Sequence, residues 1–207
     1  RKTAESPLGL RVIGFKEIEK SAGGNRDISR VVQSFPGVAS TAAFRNDIIV
    51  RGGGPSENRF FLDGVEIPNI NHFSTQGASG GPVGIINPDF IREVNFYAAA
   101  FPAARGNALS SVLDFKLQDG NQEKSSARAV VGASEVAFSA NGPLGKKTTY
   151  LVSVRRSYLQ FLFKAIGLPF LPTYTDAQFK IKHQIDKQNE ISFIGLGALD
   201  DMKLNTG

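Results

Sequence analysis

A glycine-rich loop next to an arginine is the segment best suited to contact a charged group. Three β-branched residues, Ile48-Ile49-Val50, run directly into Arg51-Gly52-Gly53-Gly54-Pro55. β-Branched residues favour strands, and glycine tolerates the positive φ angles that a tight loop requires. Arginine presents a rigid fork of N–H donors that matches a carboxylate. Arg51 is therefore a candidate ion-pair donor, although a solvated arginine at a strand end explains these residues equally well.

The same glycines could cradle a phosphate, but the residues that follow them predict a turn. A phosphate-binding loop ends in Gly-Lys-Ser/Thr and opens a helix. Here Pro55 is followed by Ser56-Glu57-Asn58 and then by a β-rich run. A small α+β enzyme that binds a nucleotide through this loop is thus a weak alternative, which nucleotide-dependent thermal stabilisation would rescue.

The other candidates for catalysis or metal binding lack suitable partners. Asp63-Gly64 separates two β-rich runs and predicts a hairpin turn, which the Asp63 side chain supports, so Asp63 and Glu66 are not a catalytic pair. The two histidines, His72 and His183, lie far apart in the chain without an acid at ligand-like spacing, and there is no cysteine. We expect no catalytic residue, no metal site and no cofactor.

An amphipathic helix is predicted upstream of the glycine loop. Asp27 to Phe35 has apolar residues at positions 28, 31, 32 and 35, the spacing of one helix face, and Pro36-Gly37 ends it. The other predicted elements of this part are strands at Gly9 to Phe15, Phe90 to Tyr97 and Ser111 to Leu117, a helical turn at Lys16 to Ser21, and a loop at 71–87.

After about residue 120 the sequence consists of four strand-length runs. They are Ala127–Ala140, Thr148–Ser157, Asp176–Asp186 and Glu190–Leu199, with turns predicted at Asn141–Gly145 and Lys187–Asn189. In the third run, one face carries Ala177, Phe179 and Ile181, and the other is charged and polar. A sheet with one face on a core and one in water explains this alternation. So does a transmembrane barrel, whose strands face lipid and a wet lumen, although alternation alone favours the first explanation.

The composition is that of a folded protein. Hydrophobic residues make up 41% and charged residues 21% of the 207 positions, which is not typical of a disordered chain. The net charge is +5, but the basic residues form no stripe or known motif, so nucleic-acid binding is not expected. No segment has the roughly 18 apolar residues of a membrane helix; Leu159 to Leu171 comes nearest, and Lys164 and Pro169 interrupt it.

Four motifs, in order, resemble the plug domain of TonB-dependent outer-membrane receptors. They are Phe35-Pro36-Gly37-Val38, Ile48-Ile49-Val50-Arg51-Gly52, Leu62-Asp63-Gly64-Val65 and Gly106-Asn107-Ala108-Leu109-Ser110-Ser111-Val112-Leu113. Each motif is weak alone, but their order and spacing over roughly residues 8–118 are specific. The remainder resembles the first strands of the receptor's own barrel, which favours the transmembrane explanation of the alternation.

The resemblance implies a fold class and a function. Residues 1–120 would be an α+β plug domain, a small mixed β-sheet with short helices and long loops. Residues 121–207 would be antiparallel β-hairpins of an outer-membrane β-barrel. In this family the plug lies inside a 22-stranded barrel in the outer membrane of a Gram-negative bacterium and blocks its lumen.

The function that the resemblance implies is transport, and not the catalysis of a reaction. The plug would gate the lumen and help to bind a nutrient ligand. Its partners would be its own C-terminal barrel, the outer membrane, that ligand and a TonB-type inner-membrane complex that energises uptake.

The resemblance also implies roles for particular residues. Arg51 matches the family's plug arginine that pairs with carboxylates on the barrel wall. A second family arginine is absent, because Ala98-Ala99-Ala100 stand where many members carry Arg-Gly-Pro, and Arg92 or Arg105 would replace it. The outward loops that would meet a ligand contain Thr41, Phe44, Arg45, Ser56, Glu57, Asn58, Asn71, His72 and Phe73.

The number of predicted strands leads to two further expectations. Four strands cannot close a 22-stranded barrel, so we expect a fragment that holds the plug and the opening of the barrel, with no energy-coupling segment discernible before residue 8. Its unpaired strand edges predict a non-native oligomer or domain swapping. The alternative is a soluble ligand-binding or protein-interaction module without a transport role. The sequence does not predict the substrate.

Overall fold

The chain divides into two units, Arg1–Gln118 and Asp119–Gly207. The computed structural model describes residues 9–20, 27–39, 45–75, 78, 80–81, 83–132 and 134–205. Each unit is built on one five-stranded sheet. The two sheets differ in strand direction and in the kind of residue that they bury.

The first unit contains a mixed sheet. Its strands are β1 (Leu10–Gly14), β4 (Asn58–Leu62), β5 (Val65–Ile67), β6 (Ile91–Tyr97) and β7 (Ser111–Leu117). They lie in the order β1-β6-β7-β4-β5, with β4 and β7 parallel and the other pairs antiparallel. A separate two-stranded sheet pairs β2 (Val38–Ala39) with β3 (Ile49–Val50). Because β4 and β7 are parallel, the loops that precede them meet at one edge of the sheet.

Among its described residues, this unit also has two short α-helices, α1 (Phe15–Lys20) and α2 (Ile28–Gln33), and 3-10 turns at Pro55–Glu57 and Pro88–Phe90. The predicted amphipathic helix is present as α2, with Asp27 as its N-cap and Ser34 as its C-cap. Gly37 has a φ of 82°, a left-handed conformation that turns the chain after Pro36. The core is formed by buried apolar side chains from both helices and the sheets: Ile13, Ile18, Val31, Val32, Val50, Phe60, Leu62, Val94, Phe96, Leu113 and Phe115.

The hairpin predicted at Asp63-Gly64 is present between β4 and β5. Phe60 pairs with Ile67 and Leu62 with Val65. Asp63 and Gly64 have φ angles of 48° and 92°, so both central residues of the turn are left-handed, as a type I′ hairpin requires. The Asp63 carboxylate also accepts a hydrogen bond from Leu117 N at 2.9 Å, which ties the turn to β7.

The second unit is an antiparallel meander in which each strand pairs with the next. Its strands are β8 (Ser126–Val131), β9 (Glu135–Gly145), β10 (Thr148–Ser157), β11 (Phe170–Gln184) and β12 (Glu190–Leu204). One helix, α3 (Leu159–Ala165), lies between β10 and β11. Within the described ranges, none of the helices combines the length and the apolar character that crossing a bilayer would demand.

Two sequence predictions for this unit were wrong in detail. The run predicted as one strand over Ala127–Ala140 forms a hairpin of β8 and β9, closed by a hydrogen bond from Gly132 N to Glu135 O at 2.8 Å. The turn predicted at Asn141–Gly145 is part of β9, because Gly142 lets the chain pass close to Ser125: a Cβ there would lie 2.5 Å from Ser125 Oγ. The turn predicted at Lys187–Asn189 is confirmed, and Asp186 Oδ1 accepts the Gln188 and Asn189 N–H groups, each at 2.8 Å.

The polar face of the second sheet is the buried one. On β11, Asp176, Gln178 and Lys180 are 2%, 1% and 7% exposed, whereas Phe179 on the opposite face is 42% exposed. The same face as Phe179 exposes Val136, Phe138, Val154, Phe193 and Leu199 on the neighbouring strands. A sheet with its apolar face on a core and its polar face in water would show the reverse, so that explanation of the alternation is wrong.

Candidate functional site

The glycine loop at Arg51 packs against the segment that precedes β7. A Cβ built on Gly53 would lie 2.5 Å from Ser110 Oγ and 2.7 Å from Glu57 Oε2. Ser110 Oγ donates a hydrogen bond to Val50 O at 2.7 Å. Only glycine leaves room for this contact, because side-chain atoms do not approach so closely. Gly53 therefore allows the glycine loop to pack against the segment that precedes β7. Its backbone contacts protein atoms, whereas the backbone of a phosphate-binding loop would contact a ligand.

Asn58 fixes the base of the same loop. Its side-chain amide donates to Ile48 O at 2.6 Å and to Pro55 O at 3.2 Å. Its Oδ1 accepts a hydrogen bond from Ser111 Oγ at 2.6 Å. Asn58 is buried, so this residue, which was predicted to face a ligand, holds the loop together instead. Its neighbour Ser56 is exposed.

Glu57 joins the loop to the same segment through its backbone. Its carbonyl oxygen accepts hydrogen bonds from Leu109 N and Ser110 N at 3.1 and 3.2 Å. The residue is half-buried. Of the three residues predicted at this apex, Ser56 and Glu57 thus keep accessible surface, and their contact with a ligand stays a prediction.

Arg51, the candidate ion-pair donor, lies in a left-handed turn directly after β3. Its φ is 53°, and its N–H donates to Gly37 O at 2.8 Å. The residue is exposed, and among the described residues its guanidinium has no recorded hydrogen bond or ion pair. It lines an open cavity of about 540 Å³ together with Arg11, Phe35 and Phe96. The predicted pairing of Arg51 with a barrel wall stays a prediction.

The two other arginines predicted to contact a wall have partners within the first unit. Arg105 Nη2 forms an ion pair with Asp114 Oδ2 at 2.9 Å, and its guanidinium lies 4.5 Å from the centre of the Phe61 ring. Arg92 is more exposed and lies 3.8 Å from the Glu93 carboxylate. Arg105 therefore stabilises the plug sheet, whereas Arg92 has the more accessible side chain.

A buried polar network forms around Asp27, which the sequence placed only at the start of the predicted helix. Its Oδ1 accepts a hydrogen bond from Ser29 N at 2.9 Å. Its Oδ2 accepts one from Asn46 Nδ2 at 2.7 Å and another from Gly84 N at 3.1 Å. Ser29 Oγ in turn donates to Asn71 Oδ1 at 3.0 Å. One carboxylate thus connects α2 to Asn46, next to the predicted ligand-facing loop at 41–45, and to Gly84 in the predicted loop at 71–87.

Burial dominates the titration of Asp27. Desolvation raises the pKa of its carboxyl above the ordinary value of 3.8, although the hydrogen bonds from Ser29, Gly84 and Asn46 and the charge of Arg30 all lower it. The network therefore costs free energy when the carboxyl is ionised. What the network does is hold the segments of Asn46 and Gly84 against α2.

The remaining predicted ligand-facing residues divide into buried and accessible ones. Asn71 and His72 are each 1% exposed, so neither faces solvent. Arg45 is exposed and forms a 2.8 Å ion pair with the buried Asp47. Phe73 is half-buried and has a φ of 54°. Thr41 and Phe44 lie outside the described residues.

The buried polar face of the second unit carries its own ion-pair cluster. Arg155 on β10 binds Asp176 on β11 through two contacts, Nε to Oδ1 at 3.0 Å and Nη2 to Oδ2 at 2.8 Å. The Tyr174 hydroxyl donates to Glu135 on β9. Three adjacent strands are thereby cross-linked by charged and polar side chains. Such pairing is what permits charges to be buried.

A mixed-sheet unit with a glycine loop, followed by a meander that buries its polar face, has the architecture of a plug and the adjoining strands of an outer-membrane barrel. The chain belongs to the TonB-dependent receptor plug domain family, whose sequence model matches residues 2–112. A search of curated proteins gave no significant match.

Solved structures with the same fold include siderophore receptors and an outer membrane transporter. The siderophore receptor PirA from Acinetobacter baumannii is 19% identical, with a TM-score of 0.70 over 98% of this chain and 33% of that one. A mutant of the ferric enterobactin receptor PfeA from Pseudomonas aeruginosa is 16% identical, with a TM-score of 0.66 over 94% and 33%. The outer membrane transporter YddB from Escherichia coli is 14% identical, with a TM-score of 0.60 over 95% and 37%. The chain thus spans about a third of the length of these proteins.

Proposed function

We propose that this chain gates the lumen of an outer-membrane importer. In this proposal the first unit is the plug that closes the lumen, and the second unit contributes strands of the wall. A nutrient ligand binds to outward loops of the plug, and a TonB-type inner-membrane complex supplies the energy for uptake. Membership of the plug family supports the gating role.

One observation carries the proposal: the second sheet exposes its apolar face and buries its polar face. In water this arrangement would be unfavourable, because each exposed phenylalanine forfeits the stabilisation of burial, about 1.5–3 kcal/mol when complete. In a bilayer it is the favourable one, since the apolar face meets lipid and the polar face lines the lumen. Phe138, Phe179 and Phe193 are 50%, 42% and 62% exposed on that face.

The dimensions of the exposed apolar face agree with a membrane strand. On β10 the face runs from Thr148, whose Oγ1 lies 2.8 Å from His183 Nδ1, to Arg156, which donates to Thr175 Oγ1. These eight steps along an extended strand span about 27 Å. Strands of a membrane barrel are tilted by about 35–45°, so this length covers roughly 19–22 Å along the membrane normal, most of an apolar band of about 25 Å. Polar pairs therefore mark both ends of a segment that crosses most of this band.

Gating is testable without knowledge of the ligand. The natural full-length protein is reconstituted in a planar bilayer, and its conductance is compared with that of a variant that lacks residues 9–118. The proposal predicts a closed protein and a large, persistent conductance after deletion. Equal conductance from the two proteins would refute the gating role.

Arg51 is the residue with which to test contact between plug and wall. Arg51→Ala in the natural full-length protein is expected to increase plug mobility and alter uptake, because a guanidinium–carboxylate contact is lost. Lys16→Ala, which removes another exposed positive charge, is the matched control. Unchanged uptake and unchanged hydrogen exchange in the plug of the Arg51 variant would exclude the role.

Uptake in a deletion strain would identify the ligand class. Ferric siderophores are the first class to test, because several solved receptors of the same fold bind them, followed by cobalamin, glycans and peptides. Growth or uptake that depends on the gene for one class only would assign the substrate.

A further inference from the structure

The peptide bond between Gln118 and Asp119 joins the two units, and the residues on its two sides are held in different ways. On the side of the first unit, Gln118 N donates to Phe90 O at 2.7 Å. Its side-chain amide donates to Asp89 O and Ile91 O, each at 3.3 Å. These three hydrogen bonds join neutral groups, and two of them are long.

On the side of the second unit, Asp119 is held by two charged contacts. Its Oδ1 lies 2.8 Å from Lys180 Nζ and its Oδ2 lies 2.8 Å from Lys182 Nζ, both on β11. The Lys180 side chain is 8% exposed and that of Asp119 is 38% exposed, so water screens this pair only in part. Partial burial raises the pKa of Asp119, but the hydrogen bonds from the two lysines outweigh it and leave the pKa below the ordinary value. The carboxylate is therefore ionised at neutral pH.

The residues after Asp119 continue the attachment to the second sheet. A Cβ on Gly120 would lie 2.4 Å from Tyr150 O and 2.8 Å from Tyr150 N, so the chain lies directly on the backbone of β10 and only glycine fits. Asn121 Oδ1 then accepts the N–H groups of Glu123 and Lys124 at 2.7 and 3.0 Å, which forms a compact turn before β8. Asp119 and Gly120 thus lie against the second sheet, and Asn121 begins a compact turn.

We propose that Asp119 is a positioning residue that ends the movable part of the plug at Gln118. Charge-assisted hydrogen bonds are roughly twice as strong as neutral ones, and Gly120 adds a steric contact with β10. A load that extends the plug from its N-terminal end therefore breaks the Gln118 bonds last and leaves Asp119 and Gly120 on the second sheet. The wall strands keep their register while the plug is displaced.

This inference rests on the proposed function, because it assigns a role during plug displacement, and force spectroscopy tests it. The natural full-length protein is held in a membrane and pulled from the N-terminal end of the plug. The released chain is expected to end at residue 118 in the unmodified protein. In Asp119→Asn it should lengthen by the seven residues to Ser125, about 24 Å of extended chain.

Glu190→Gln is the matched control, since Glu190 also pairs with Lys182, at 2.9 Å, but lies outside the junction. Its released length should equal that of the unmodified protein. Gln118→Ala should lower the force of the last rupture without changing the length. Equal lengths for Asp119→Asn and the unmodified protein, or a lengthening in Glu190→Gln as well, would overturn the proposal.

Hydrogen exchange distinguishes a wrong inference about the attachment of Asp119 to β11 from a wrong proposed function. Amides 119–124 are expected to exchange at least tenfold faster in Asp119→Asn than in Glu190→Gln, while those of β6 and β7 stay unchanged. Unchanged exchange at 119–124 would refute the role of Asp119 in this attachment, whatever the protein transports. A plug that never extends under load, with the exchange difference present, contradicts the proposed function and leaves the attachment of Asp119 supported.

Discussion

In the first unit Leu113 and Phe115 are completely buried, whereas on β11 of the second unit the most buried side chains include Asp176 and Gln178. Both sheets consist of alternating strands from one chain. The difference lies in the solvent that each face is built to meet: the first unit follows the rule for a protein in water, and the second inverts it. Alternation alone thus defines two faces of a sheet, and burial decides which environment each face meets.

Truncating a phenylalanine in each unit should have very different effects. Phe115→Ala creates a cavity in a fully buried site and is expected to destabilise the first unit by about 3–5 kcal/mol. Phe138→Ala, on the exposed apolar face, should cost only about 0.5 kcal/mol in detergent micelles. Urea titration with pulse proteolysis of the natural full-length protein measures both. Equal losses would mean that the two units bury apolar residues alike.

Removing a buried charge should be as costly in the second unit as cavity formation is in the first. Asp176→Ala leaves the Arg155 guanidinium without its two-contact partner and is expected to cost about 3–5 kcal/mol. Glu66→Ala breaks the half-exposed pair with Arg59 and should cost about 0–1 kcal/mol. The same urea titration is applied to the double variant Arg155→Leu, Asp176→Leu. Removing both charges should lower the free energy of unfolding less than removing one. A double variant as unstable as Asp176→Ala would contradict this account of the pair.

A charge on the exposed apolar face should be penalised only if lipid covers it. Phe179→Arg is expected to destabilise the natural full-length protein in bilayers by about 2–4 kcal/mol. Phe179→Ala is the control, because the Phe179 ring also covers Gly195, where a Cβ would lie 2.1 Å from Cε1. Reversible unfolding in lipid vesicles gives both values. Arginine that costs no more than alanine would indicate a water-facing sheet.

In the glycine loop of the first unit, substitution of Gly53 by alanine should be destabilising, whereas the same substitution at Gly54 should be tolerated. Gly53→Ala forces a Cβ against Ser110 and Glu57 and should cost about 1–3 kcal/mol. A Cβ on Gly54 meets Glu57 Oε1 at an ordinary 3.7 Å, so Gly54→Ala should be nearly neutral. Thermal unfolding of the two variants distinguishes them. Similar stability would show that the contact with Ser110 is readily relaxed.

The smallest expected effect is the pH dependence that Asp27 contributes. Because burial raises its pKa, the folded state binds the proton more tightly than the unfolded state. The contribution of Asp27 to stability is therefore fully present below about pH 3.8, the unfolded value, and is lost as the pH rises through the higher folded pKa. Asp27→Asn should remove this slope, which urea titrations across that window would detect. An identical slope in the variant would show that Asp27 titrates normally.

Local signals in the sequence predicted much of the first unit. Asp63-Gly64 defines its own hairpin because both residues tolerate left-handed φ angles. Pro36-Gly37 likewise predicted the end of the helix closely, since α2 ends at Gln33 with Ser34 as its C-cap. The role of Asp27 was not predictable, because Asn46 and Gly84 approach its carboxylate only after folding. The burial of Asn58, Asn71 and His72 depends on such distant contacts too, and so does the pairing of Asp119 with β11.

In the second unit the sequence predicted strands but misjudged their limits. Asn141-Gly142-Pro143 has the composition of a turn, yet Gly142 serves close packing on Ser125 and the strand continues. The alternation over 176–186 defined the two faces of β11 correctly. It could not tell which face is buried, because that depends on partners such as Arg155 on the neighbouring strand.

Spin labels along β11 would test whether this sheet faces lipid. Single cysteines are introduced from position 176 to position 181 of the natural full-length protein in bilayers. The 207 residues contain no cysteine, and any cysteine elsewhere in the protein is first replaced by serine. Collision rates with oxygen, which partitions into lipid, and with a water-soluble nickel chelate are then compared at each site. We expect high oxygen and low nickel accessibility at Ala177, Phe179 and Ile181. At Asp176, Gln178 and Lys180 we expect low accessibility to both reagents, because these side chains are buried. Nickel accessibility at the first three positions, or no alternation, would contradict the assignment of these strands to a membrane wall.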